Sequence, residues 1–173
     1  MSIFLLLGFV VVLILFLNRN IFLNRIRSDS FLVKKLSSAT WFKSPWKSGL
    51  FLFVLNTVLF SVSLLLIIGV GYLQIPFIHL FVMAAAVLVS FYLWNIVYKC
   101  WEGTSKGRLM QGFIGSGFYL ILTINFIYMI VTMDPEMPEE DSFMGFIGFS
   151  MGGFVTLVAY IACFFTTGFT AKK

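Results

Sequence analysis

Apolar residues in this chain neither alternate nor form stripes; they run on. Five stretches, residues 3–17, 50–72, 77–98, 109–133 and 143–165, are almost wholly apolar, and every Lys, Arg, Asp and Glu lies outside them. A helix needs roughly 20 such residues to cross about 30 Å of hydrocarbon, and the last four runs meet that length outright. Residues 3–17 would cover about 22 Å at 1.5 Å per residue, enough to cross with local thinning of the bilayer or snorkelling of Arg19. In hydrocarbon a backbone must pair its own polar groups, and runs of this length exclude the short alternating strands of a barrel. The pattern therefore predicts an all-α polytopic membrane protein, a single membrane domain over residues 1–173 with five transmembrane helices. The last four form a bundle, and the first is peripheral to it or packs on another subunit.

Residues 50–98 carry no charge and are too long for one span, so a turn is needed inside them. Gly69, Gly71, Gln74 and Pro76 cluster near the middle and place a short hairpin there. The other connecting segments differ in sign. Residues 18–49 hold Arg19, Arg25, Arg27, Lys34, Lys35, Lys43 and Lys47 against Asp29 alone. Lys99, Lys106 and Arg108 face only Glu102, and the chain ends in Lys172 and Lys173. Residues 134–142 hold Asp134, Glu136, Glu139, Glu140 and Asp141 with no cation. Basic segments stay cytoplasmic, which predicts an outer acidic loop, an N-terminus outside and a cytoplasmic C-terminus. The formal net charge of +5 is then a dipole across the membrane, and nucleic acid is not needed to explain it.

Composition agrees: 60% of the 173 residues are hydrophobic and 11% charged, against about 25% charged in soluble domains, which excludes a soluble globular enzyme. No cation precedes the first apolar run, the reverse of a secretory signal, so that segment is expected to be retained. Cys100 and Cys163 are too few for a disulfide framework or a metal site of CxxC type. Walker, dinucleotide and HExxH motifs are absent, and no cofactor or metal is expected. The acidic segment lacks the spacing and turn glycine of an EF-hand and reads as a solvated loop.

Between the first two spans, Arg25, Arg27, Lys34, Lys35, Lys43 and Lys47 interleave with Trp41 and Trp46. Such a segment lies among headgroups with its cations toward anionic lipid, or contacts a partner. Ser30 is placed to cap a short helix with Leu32, Leu36 and Ala39 on one face. Inside the spans, Gly145, Gly148, Gly152, Thr156, Ala159 and Cys163 recur every three or four residues, with Gly148 and Gly152 a GxxxG pair. Gly112, Gly115, Ser116 and Gly117 in the fourth span, and Ala84, Ala85, Ala86 and Ser90 in the third, are further small faces for helix packing. Asn56, Asn95, Asn125 and Gln111 are expected to cross-link helices by hydrogen bonds.

His79 is the only histidine and reads as an interfacial residue. Gly148 to Gly152 also matches the G-x-S-x-G nucleophile pattern around Ser150, and His79 falls on the same side of the membrane. That elbow requires a strand, a turn and a helix, whereas this segment reads as continuous helix. The expected function is a non-enzymatic membrane subunit that assembles with other membrane chains or with itself through small-residue faces and the basic segment. A small channel or transporter for an ion or solute is the alternative, and an intramembrane serine hydrolase using Ser150 and His79 the exception. Short loops and the lack of eukaryotic targeting signals point to a bacterial inner membrane.

Overall fold

The computed structural model describes residues 31–73, 77–133 and 139–169, without the side chains of residues 31, 32 and 139–141. The expected span at residues 3–17, together with Arg25, Arg27 and Ser30, lies outside them. A short helix α1 (Phe31–Ser37) leads through a 3₁₀ turn (Thr40–Lys43) into four long helices: α2 (Pro45–Tyr72), α3 (Ile78–Cys100), α4 (Ser105–Val131) and α5 (Glu139–Gly168). Among the described residues all regular structure is helical, and these four helices are long and apolar enough to cross a membrane.

The long helices overrun their apolar stretches, α2 and α4 at the start, α3 at the finish and α5 at both ends. Pro45 opens α2, where its missing N–H would have no partner anyway. Thr104 caps α4, its hydroxyl accepting from the Gly107 N–H at 3.2 Å. Three acids begin α5: Glu139, Glu140 and Asp141 belong to its first turn, so the outer loop expected over residues 134–142 is shorter than the charge pattern predicts. The expected hairpin falls between α2, which ends at Tyr72, and α3, which starts at Ile78; Gly69 and Gly71 remain helical in α2, and Phe77 holds a left-handed φ of 65°. Gln74 and Pro76 lie outside the described residues.

The long helices form a ring in which α2 and α5 each touch both α3 and α4. Like-directed α2 and α4 lie in register, with Gly49 against Ile114 and Leu52 against Gly115. Antiparallel α4 and α5 pair Gly112 with Gly168, Thr123 with Thr156 and Gly152 with Phe126. Burial concentrates at the end flanked by Lys43, Lys47, Lys99 and Lys106, here called the basic end. Leu52, Trp94, Ile96, Val97, Tyr119 and Cys163 are buried there. Toward the far end the helices present Leu65, Phe81, Val131, Phe143 and Met144 outward, all more than half exposed. Apolar surface on this scale has hydrocarbon as its solvent. The chain is an integral membrane protein, knit tightly in one half of its height.

Leu36 and, just beyond the end of the short helix, Ala39 are half-buried against the core, as expected of that face, and Val33 is buried with them. Of the expected small face of the third span, Ala84 and Ala85 are exposed, whereas Ala86 and Ser90 are half-buried.

Candidate functional site

The most chemically specific feature is a polar knot inside the basic half. Asn56 of α2 is fully buried, and its side-chain amide joins all four long helices. The Nδ2 donates to the Gly115 carbonyl of α4 at 2.9 Å and approaches Cys163 Sγ of α5 at 3.5 Å. Its Oδ1 accepts from the Trp94 indole N–H of α3 at 2.8 Å. Trp94 in turn sets its ring edge-on to Tyr119 of α4, with centroids 6.2 Å apart. Asn56 thus crosses one diagonal of the ring, α2 to α5, and the Trp94–Tyr119 contact crosses the other. Higher up, Thr123 of α4 donates to Thr156 of α5 at 2.9 Å.

Glycines make the close approach possible. A Cβ at Gly112 would lie 2.9 Å from the Gly168 backbone, and one at Gly115 would overlap the Leu52 side chain. Contacts this short between backbones are what small residues allow in hydrocarbon. Two amides nearby are less well provided for. Gln111 is fully buried with neither Nε2 nor Oε1 bonded to a described residue, and Asn95 donates to the Phe91 carbonyl at 2.7 Å while its Oδ1 has no such partner.

The predicted packing residues divide. Gly112, Ser116, Gly152 and Thr156 lie inside the bundle; Ala159 is half-buried against the core, and Gly145 faces the flexible end of Met133. Gly148 is exposed, with open space where a side chain would go. The intramembrane amides divide as well: Asn56 and Asn95 are buried, whereas Asn125, expected to cross-link the bundle, is exposed on α4 and forms no hydrogen bond with a described residue. Trp94, Thr123, Gly49 and Leu52 carry the knot and its packing without having been singled out in the sequence. A tryptophan deep in an apolar run was the available signal, because its buried N–H needs an acceptor.

The catalytic exception finds little geometry. Ser150 is half-buried in the unbroken helix α5 with no elbow, His79 is exposed in the first turn of α3, and no hydrogen bond joins them. Among the described residues no group of three His, Cys, Asp or Glu is placed to hold a metal ion.

At the basic end α1 is pinned by buried Val33, whose carbonyl accepts from Cys100 Sγ at 3.7 Å, and the 3₁₀ turn by buried Phe42. Trp41 packs its ring against Phe42 and Phe51, with centroids 5.7 and 5.5 Å away. Around this anchor Lys34, Lys35, Lys43, Trp46 and Lys47 are exposed. Glu102 reaches Lys43 at 3.9 Å, and the Arg108 guanidinium lies 4.6 Å from the Tyr98 ring centroid. Comparison with protein-family models, curated proteins and solved structures finds no match for the chain.

Proposed function

We propose that this chain is a non-enzymatic subunit of a membrane assembly, with its basic end cytoplasmic and its N-terminus outside, in a bacterial inner membrane. The observation that carries the reading is the division of its small and polar residues. One set is consumed within the chain: Asn56, Gly112, Gly115, Thr123 and Thr156 all serve contacts between its own helices. A second set is turned outward: Asn125 and Gly148 are exposed, Asn125 bonds no described residue, and a Cβ at Gly117 or Gly148 would meet open space. A side-chain amide in hydrocarbon gains from a hydrogen-bonding helix, and an open glycine lets that helix come close.

At the basic end the exposed lysines around Trp41 and Trp46 suit anionic headgroups, each cation near such a surface adding about 1 kcal/mol. The positive-inside rule supports the orientation. A channel or transporter draws support from the buried amide atoms left without a partner among the described residues, both ends of Gln111 and the Oδ1 of Asn95.

The test is a mass-spectrometric inventory of everything retained when the tagged chain, at native expression level, is extracted in mild detergent. Other membrane chains or further copies at fixed ratio are expected. A lone monomer would overturn the reading.

A further inference from the structure

The exposed face of α4 in the far half has a spacing of its own. Ile121, Asn125, Tyr128 and Thr132 follow one another at intervals of four, three and four, the seam spacing of two helices packed at a shallow left-handed crossing. All four are exposed, Ile121 at 58% and Tyr128 at 66%, and none is claimed by another helix of the ring. One turn toward the basic end, Gly117 sits on the same side with open space beyond its Cα, so a neighbouring backbone could approach there. Asn125 lies about 12 Å along the axis from the Met133 end at 1.5 Å per residue, well inside the hydrocarbon.

We infer that this face is a homodimer seam in which Asn125 pairs with Asn125 of a second copy. The inference rests on the subunit reading above and names the partner. Copies inserted with one orientation are related by a twofold axis along the membrane normal, so α4 meets α4 in parallel and each seam residue meets itself. An amide suits that encounter because it is both donor and acceptor. A single asparagine in a seam fixes parallel register in the same way in coiled coils. The chain's other candidate occupant, the apolar run at residues 3–17, contains no side chain able to bond an amide. It would leave Asn125 unpaired in hydrocarbon.

The experiment uses the full chain in native membranes. Single-cysteine additions are made at Asn125 and Tyr128, and at Leu65 on exposed α2 as a control. The native Cys100 and Cys163 are buried. Mild oxidation is expected to give covalent dimers from Asn125→Cys and Tyr128→Cys but not from Leu65→Cys. In a fluorescence-transfer titration in vesicles, Asn125→Leu should weaken self-association roughly threefold to thirtyfold, and Asn125→Gln much less. Asn125 is exposed and bonds no described residue, so the thermal midpoint of the monomer should not fall.

Self-association unaffected by Asn125→Leu, or cross-linking equal at Leu65→Cys, would overturn the seam. Recovery of the chain as a single copy bound to a different membrane protein would overturn it while leaving the subunit reading standing. A lone monomer would overturn both.

Discussion

Replacing Asn56 by leucine tests the knot with little change in side-chain volume. The substitution removes the acceptor for the Trp94 N–H and the donor to the Gly115 carbonyl, both at under 3 Å. An orphaned buried donor costs roughly 1–3 kcal/mol. Burying leucine in place of an amide returns part of that, and hydrogen bonds between membrane helices average about 0.6 kcal/mol with a maximum near 1.7. A net loss of about 1.5 kcal/mol is expected, at the upper end because one side chain serves three helices. In a Trp94→Phe background the orphan no longer exists, so the loss on Asn56→Leu should shrink by about 1 kcal/mol. Reversible unfolding in mixed micelles, run as a double-mutant cycle, measures both numbers. Wild-type stability for Asn56→Leu, or strict additivity with Trp94→Phe, would refute the argument that this amide holds the helices together.

The remaining predictions use the same logic. Gly112→Ala and Gly115→Ala should each destabilise by roughly 1–3 kcal/mol, the first because the Gly168 backbone cannot give way, while Gly117→Ala should be neutral or slightly stabilising through helix propensity; thermal unfolding in detergent compares the three. Thr104→Ala removes the cap on the Gly107 N–H and should cost about 1 kcal/mol, read as faster amide exchange in the first turn of α4. Replacing Lys34, Lys35, Lys43 and Lys47 together with glutamine should deplete anionic phospholipid among the retained lipids. Unchanged retention would remove the headgroup role.

The spans were legible because hydrocarbon admits only one solution for an uncharged run of that length. Their ends were less so. Nothing apolar marks Pro45, Ser105 or Glu139 as helix starts; a proline at the first position, a threonine cap and three leading acids set them. The inner site was half legible. Asn56 stands out in an apolar helix, but its partners depend on how each helix is rotated, and a helix apolar all round gives no clue to which side faces in. For that reason Asn125 was expected to act like Asn56 and instead points to the surface, and Ala84 and Ala85 were expected to pack and do not. Rotation was readable only where small residues repeated, as from Gly145 to Cys163, because a stripe of that kind has a direction. Even there Gly148 escapes: it is exposed, with open space where a side chain would go.

The central claim is that the inward-facing polar and small residues hold the chain together while those facing outward on α4 join chains. A leucine scan along α4 tests it directly, with thermal midpoint and assembly mass in lipid nanodiscs read on every variant. Substitutions at Gly112, Gly115 and Ser116 should lower the midpoint, and those at Gly117, Asn125 and Tyr128 should reduce the assembly mass with the midpoint unchanged. Loss of stability from the second set, or an assembly mass indifferent to it, would contradict the account.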